Sequence, residues 1–148
     1  MPASGDAEDF DHAAEGFQLV SRHTVMYPDC NVTNRLFGGR LMQWIDDAAG
    51  MFVRCNMGSD HVVTAQMDQV RFRRPTQLGE IIEIYCKVTR FGRTSLSIAL
   101  VVTNLDVNQP SAKRKKLETQ MVWVNVDEQG RPCAYEPSPV AMGEILGN

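Results

Sequence analysis

Apolar side chains recur at every third or fourth position in one stretch of the chain, which is the period of an amphipathic helix. The stripe consists of Leu41, Trp44, Ile45, Ala48, Phe52 and Cys55. Polar side chains occupy the opposite face, at Arg40, Gln43, Asp47 and Arg54. The pattern therefore predicts one long helix over Arg40–Cys55, and Gly58 in the following segment is a typical residue to end it.

The remaining apolar positions largely alternate with polar ones and are rich in β-branched residues, which is typical of strands. Five strands are predicted, over Phe17–Val25, His61–Arg73, Glu80–Arg90, Thr94–Leu105 and Leu117–Val126. Short breaks between the last four predict antiparallel neighbours. The predicted fold class is α+β, with one helix against one antiparallel sheet. Because such a sheet keeps open edges, we expect a homodimer.

Length and composition describe one globular domain with an unusual beginning. The chain has 148 residues, of which 43% are hydrophobic, and a net charge of −3. Residues 1–16 contain five acidic residues, no lysine or arginine, and Phe10 as their one large apolar side chain. Such a segment buries little surface to offset the entropy of ordering it. We therefore expect a disordered acidic tail over residues 1–16 and a folded domain over residues 17–148.

The sequence disfavours a membrane segment, a secretory leader, a metal site and two common catalytic motifs. There is no apolar run near the ~20 residues that span a bilayer and no secretory leader pattern, so we expect a cytoplasmic protein without membrane partners. Cys30, Cys55, Cys86 and Cys133 are scattered, and the three histidines show no metal spacing, so neither a metal site nor a cofactor is predicted. Serine-hydrolase and nucleotide-binding glycine motifs are absent.

The stretch before and within the predicted helix has the strongest functional signal. Gly38 and Gly39 open the helix, where unpaired N–H groups and the positive end of the helix dipole can hold a carbonyl oxygen. Asp46 lies about two turns further on, beside the apolar stripe and followed by the small residues Ala49 and Gly50. Asp46 is therefore a candidate catalytic carboxylate that acts on a carbonyl carbon or on a water. A surface acid paired with an arginine is the alternative.

Two further groups of residues are candidates for binding. Asn31 in the entry loop either forms a turn or orients a water or substrate, whereas Asn34 is better explained as a turn residue. Basic residues cluster in three segments, at Arg71–Arg74, Lys87–Arg93 and Lys113–Lys116. In a protein of negative net charge these segments favour a ligand that carries phosphates. Nucleic acid is the weaker alternative, because surface aromatics do not accompany the basic residues.

Together these residues resemble the hotdog-fold acyl-CoA thioesterases, in the acyl-CoA hydrolase branch that includes YciA-like proteins. The resemblance covers roughly residues 19–127. It rests on Asn31-x-x-Asn-x-x-Phe-Gly-Gly39, Met42 and Asp46, Val62-Val-Thr64, Phe72-x-x-Pro75 with Leu78-Gly79-Glu80, and Gly92-Arg-Thr-Ser95. It implies a central helix wrapped by an antiparallel sheet, with active sites at the interface of a dimer. The assemblies left open are the homodimer alone, a tetramer and a trimer of dimers.

The resemblance also implies roles for individual residues. Asp46 would be the catalytic carboxylate, the N–H of Gly39 would hold the thioester carbonyl, and Asn31 would assist catalysis. Thr64 and Gly38 would adjoin the substrate. The coenzyme A phosphates would meet the turn between two strands, at Arg90, Gly92, Arg93, Thr94 and Ser95.

The expected function is hydrolysis of an acyl-CoA thioester to coenzyme A and a carboxylic acid, with no cofactor. Asp46 would act as a general base on water or as a nucleophile that forms an anhydride. The alternative is a non-catalytic module that binds or senses acyl-CoA. A hotdog dehydratase is a weaker alternative, because that chemistry commonly needs a histidine near the helix entry and His23 is the only upstream candidate.

Overall fold

The fold consists of one long helix packed against one curved antiparallel sheet. The computed structural model describes residues 9–147. In chain order the elements are α1 (His12–Glu15), β1 (Gln18–Thr24), a 3-10 turn (Tyr27–Asp29), α2 (Gly38–Met57), β2 (Val62–Phe72), β3 (Ile81–Phe91), β4 (Ser95–Leu105), β5 (Lys115–Asn125) and α3 (Met142–Leu146). The long helix and all five predicted strands are confirmed, with ends that differ by one or two residues.

The sheet has the order β1-β3-β4-β5-β2, and every neighbouring pair is antiparallel. The apolar face of α2 lies on this sheet and buries Leu41, Ile45, Ala48, Ala49, Phe52, Val53 and Met57. Trp44 and Cys55, which the sequence pattern placed in the stripe, are only partly buried at its margins. Gly58 ends the helix with φ of 62°, a left-handed conformation that glycine adopts without strain.

β2 and β1 form the two edges of the sheet, and most side chains of β2 are exposed. β2 is irregular in two places. Its register with β5 shifts between Thr64 and Gln66 and again between Asp68 and Arg71. Such bulges bend a strand and change the direction of neighbouring side chains. The first bulge immediately follows Thr64, which is a candidate site residue.

The expected disordered tail differs from the structure in its second part. Residues 1–8 lie outside the described residues, but residues 9–16 pack on the face of the sheet opposite α2. Phe10 is 4% exposed and contacts the rings of Phe17 and Tyr85, with ring centroids 5.2 and 5.3 Å away. Phe10, the one large apolar residue of the segment 1–16, is therefore the centre of a second, smaller core. Asp11 also caps α1 by accepting a hydrogen bond from the N–H of Ala14.

A buried ionic cluster continues this outer core. Glu83 has no exposed side-chain surface and accepts hydrogen bonds from Arg22 at 2.7 Å, Lys113 at 2.6 Å and the hydroxyl of Tyr85 at 3.1 Å. Burial works to raise the pKa of Glu83, but the hydrogen bonds from Lys113 and Arg22 outweigh it and hold the pKa below its ordinary value. Lys113 thus has a structural partner in the protein.

Candidate active site

The structure brings Asp46 of α2 and Thr64 of β2 together. The hydroxyl of Thr64 donates a hydrogen bond of 3.0 Å to Oδ1 of Asp46, and both side chains are exposed in the protomer. The pairing follows from the chain connection, because α2 turns at Gly58 directly into β2 and lays that edge strand along the helix. A hydrogen bond to one oxygen of a carboxylate also fixes the direction of its second oxygen.

The start of α2 is open to the surroundings. Phe37 caps the helix, and its carbonyl accepts the N–H groups of Arg40 and Leu41. The N–H groups of Gly38 and Gly39 precede these and have no acceptor within the helix. Both glycines are exposed, and a side chain on Gly38 would meet nothing within 4 Å. These N–H groups are therefore not used within the helix, and their contact with a ligand stays a prediction.

Asn31 organises the loop that leads into this helix. Its Oδ1 accepts hydrogen bonds from the N–H of Thr33 at 2.9 Å, the hydroxyl of Thr33 at 2.7 Å and the N–H of Arg35 at 3.3 Å. Asn34 adopts φ of 58°, as expected for a turn residue. The oxygen of Asn31 is therefore used within the loop, and its amide N–H groups are the part that remains for substrate or water.

The turn between β3 and β4 holds the remaining candidates. The N–H of Gly92 donates to the carbonyl of Ser95 at 2.8 Å, and a side chain on Gly92 would lie 2.5 Å from Oγ of Ser95, so a larger residue would require the Ser95 hydroxyl to move. Arg90 and Arg93 at its sides are exposed, and within residues 9–147 neither makes an ion pair. Strand register places Leu96, Trp123 and Thr64 side by side on three neighbouring strands. The turn therefore lies at the same end of the sheet as Thr64.

The lysines of the basic segment 113–116 form ion pairs within the protein. Lys113 pairs with Glu83, Lys116 pairs with Glu80 at 3.0 Å, and Lys115 lies 3.7 Å from Glu118. The expectation of three basic segments around one phosphate-bearing ligand is therefore wrong for the segment 113–116. Glu83 and Glu80, which are far away in the sequence, neutralise two of its lysines, and sequence clustering alone does not reveal such pairs.

His23 lies away from this arrangement. It belongs to β1, the edge of the sheet opposite β2, and its ring stacks on Trp44 at 4.4 Å between centroids. Burial lowers the pKa of His23, although Asp29 and Asp47 act against this shift. Because Thr64 and Asp46 meet at the other edge, the position of His23 does not support the dehydratase alternative.

The described part of the chain also bears on metal sites, membrane-spanning helices and disulfides. Among residues 9–147 no group of three or more histidine, cysteine, aspartate or glutamate side chains could hold a metal ion. In the same range no helix has the length and apolar character needed to cross a membrane. The four cysteines are unpaired, and burial raises the pKa of the Cys86 thiol.

Comparison with known proteins agrees with this geometry. The model of the thioesterase superfamily matches residues 33–111. The acyl-CoA thioester hydrolase YciA of Salmonella typhimurium is 32% identical over 132 residues, which cover 88% of this chain and 96% of that protein. The chain belongs to the thioesterase superfamily. Its predicted α+β hotdog fold is confirmed as well.

Solved structures in this superfamily share the architecture. A hexameric thioesterase from Yersinia pestis has a TM-score of 0.74 and 26% identity, covering 80% of this chain and 96% of that chain. Acyl-CoA hydrolase from Staphylococcus aureus, in complex with butyryl coenzyme A, has a TM-score of 0.73 and 26% identity, covering 84% of this chain and 74% of that chain. Other structures of the Staphylococcus enzyme carry an asparagine, an aspartate or a threonine changed to alanine.

Sequence reasoning missed two features around the site. The bulge after Thr64 was not predicted, because the alternating pattern of β2 gives no sign of an extra residue. The position of Trp123 was also missed. Its ring lies against Gly50, one helical turn beyond Asp46, and a side chain on Gly50 would meet the ring at 3.3 Å. The indole of Trp123 therefore occupies part of the space beside the small residue Gly50.

Proposed function

We propose that this protein hydrolyses acyl-CoA thioesters, with Asp46 as the catalytic carboxylate. The observation that carries the proposal is the hydrogen bond from Thr64 to the exposed Asp46 in a member of the thioesterase superfamily. The Staphylococcus variants give further support. The asparagine and the aspartate changed in those structures are separated by the same number of residues as Asn31 and Asp46, and the threonine follows the aspartate at a similar distance.

The distance along α2 indicates that one active site uses two protomers. A helix rises 1.5 Å per residue, so the backbone of Gly39 and that of Asp46 lie about 10 Å apart along the axis. Two groups that both contact one carbonyl group must each lie within about 3 Å of it. We therefore infer that Asp46 of one protomer faces the helix start of its partner.

Edge strands explain how the two protomers would meet. β2 is a sheet edge with exposed side chains and adjoins Asp46 through Thr64. If two β2 strands pair across a two-fold axis, the two α2 helices run in opposite directions, and the start of each approaches the second half of the other. This homodimer would be the catalytic unit. The hexameric state of the Yersinia thioesterase favours a trimer of such dimers.

The proposed reaction uses groups already placed by the fold. The N–H groups at Gly39 and Gly38 hold the thioester oxygen as it gains negative charge. Asp46 either removes a proton from a water that attacks the carbonyl carbon, or attacks that carbon itself to form an anhydride that water then opens. In both cases the carbon–sulfur bond breaks and coenzyme A leaves. Arg90, Arg93 and the hydroxyls of Thr94 and Ser95 would bind its phosphates.

An Asp46→Asn variant tests the proposal, with Asp47→Asn as the matched control. Asp47 is also exposed on α2, but it lies on the side of His23 rather than Thr64. Free thiol released from a panel of acyl-CoAs would be followed with DTNB. We expect Asp46→Asn to lose at least about a hundredfold in kcat, while Asp47→Asn stays within about threefold. Full turnover by a folded Asp46→Asn variant would refute the role of Asp46.

Direct binding separates this function from the alternative. Calorimetric binding of acyl-CoA by the wild-type protein, with no hydrolysis of any member of the panel, would favour a non-catalytic sensing module. Single turnover in heavy-oxygen water separates the two mechanisms, because only the anhydride route leaves an oxygen of Asp46 in the first product molecule.

A further inference from the structure

Trp123 lies beside the Asp46–Thr64 pair, on the strand next to Thr64. It is the register partner of Thr64 on the neighbouring strand, and Thr64 contacts Asp46. The outer atoms of its indole ring reach α2 at Gly50. The nearest ring atom lies 3.3 Å from the position that a Cβ atom would take if Gly50 had one. Trp123 is only 5% exposed. It therefore fills the gap between helix and sheet immediately beyond the carboxylate.

Gly50 and the indole are matched to each other. Asp46 and Gly50 are separated by one helical turn and so lie on the same side of α2, facing the same strand. Glycine at this position allows the ring to approach the helix backbone closely. An alanine here would require the ring to shift by a few tenths of an ångström, and a longer side chain would displace it further. The gap is therefore closed by one large side chain instead of several small ones.

We propose that Trp123 is the residue that limits acyl-chain length, by forming the end wall of the acyl-binding space beside Asp46. This inference rests on the proposed thioesterase function. Asp46 and Gly50 are about 6 Å apart along the helix, which accommodates roughly five carbon atoms in an extended chain. The protein should therefore prefer acyl groups up to about hexanoyl and lose efficiency with octanoyl and longer chains.

Variants at this position can be made without breaking a hydrogen bond. Nε1 of Trp123 is buried and has no hydrogen-bond partner within the described residues. Trp123→Phe therefore removes an unpaired donor and keeps an aromatic ring that reaches less far. Trp123→Ala opens the space fully. The two variants form a graded series, and the phenylalanine variant stays informative if the alanine variant folds poorly.

The test is the ratio of kcat/KM for decanoyl-CoA to that for butyryl-CoA. Each methylene that gains an apolar environment contributes about fourfold, so the ratio should rise at least about tenfold in Trp123→Ala and less in Trp123→Phe. Trp44→Ala is the matched control, because Trp44 is the other tryptophan of the chain and lies against His23 at the opposite flank of α2. Its ratio should stay within about twofold of wild type.

The outcomes distinguish this inference from the proposed function. An unchanged ratio in folded Trp123 variants that still hydrolyse butyryl-CoA would overturn the inference and leave the thioesterase proposal intact. A shift in Trp44→Ala as large as that in Trp123→Ala would also overturn it. If the wild-type protein hydrolyses no acyl-CoA at all, the proposed function fails first and the inference fails with it.

Discussion

Replacing Thr64 by valine tests the Asp46–Thr64 pair with little change in shape. Valine keeps the branched side chain that suits a strand but removes the hydroxyl that donates to Asp46 at 3.0 Å. A hydrogen bond to a charged group contributes about 1.5 to 3 kcal/mol, and the lower end applies because both side chains are exposed in the protomer. We therefore expect kcat/KM to fall about tenfold, since each 1.36 kcal/mol changes a rate about tenfold.

Thiol release from butyryl-CoA is a suitable assay, with Thr64→Ser as the control that keeps a donor. The serine variant should stay within about threefold of wild type, and the melting temperature of the valine variant should be unchanged, because Thr64 is not part of the core. If Thr64→Val kept full activity while Asp46→Asn lost it, the hydroxyl would have no part in directing the carboxylate.

Three further predictions concern the outer core and the turn between β3 and β4. Glu83→Gln should lower the free energy of unfolding by about 3 kcal/mol at neutral pH, because it leaves Lys113 without its carboxylate. The pKa of Glu83 is lowered in the folded protein, so its contribution to stability is present above the ordinary carboxyl pKa and is lost as the pH falls through the folded pKa. Denaturant titrations from pH 7 to pH 3 should therefore show the free energies of unfolding of the wild-type protein and the Glu83→Gln variant converging. A constant difference between them would contradict this. Phe10→Ala should lower the free energy of unfolding by about 3 kcal/mol, and no change in denaturant midpoint would show that the segment 9–16 adds no stability. Tyr135 donates to the carbonyl of Ser95 at 2.8 Å, so Tyr135→Phe should raise KM for acyl-CoA several-fold but not for an acyl-pantetheine that lacks the nucleotide, and equal effects on both substrates would contradict this.

Local patterns were sufficient to predict the main elements of the fold. The spacing of Leu41, Ile45, Ala48 and Phe52 defines the buried side of α2, and these side chains are buried in the structure. Turn residues such as Gly58 and the Gly92 turn also mark the ends of elements correctly. These features depend on neighbours in the sequence, so the sequence alone contains the relevant information.

Features that depend on distant contacts were not predictable in the same way. Alternation in β3 places Glu83 and Tyr85 on the face opposite Ile82 and Ile84, and predicts that face to be polar. In the structure both faces are buried, because the segment that contains Phe10 returns over the sheet. No periodicity reports such a return. The same reasoning applies to Trp123, whose relation to Gly50 depends on how the helix crosses the sheet.

The candidate site was predicted in part. Asp46 and Thr64 were selected separately, and the structure places them in contact. About 10 Å of helix axis separates Gly39 from Asp46, which agrees with the expectation that active sites lie at the interface of a dimer. Their catalytic roles remain predictions that require activity measurements.

Subunit complementation tests the shared site most directly. Asp46→Asn removes the carboxylate, and Gly39→Pro removes the N–H donor in the first turn of the helix. The exposed ring of Phe37, which lies 2.5 Å from the position of a side-chain carbon on Gly39, must turn aside to admit the proline. In a mixed dimer with one variant chain of each kind, a shared site combines the intact Asp46 of one chain with the intact Gly39 of the other. The account predicts two nearly inactive parent proteins and mixed dimers that regain about half of the wild-type kcat. Mixed dimers as inactive as their parents would contradict it.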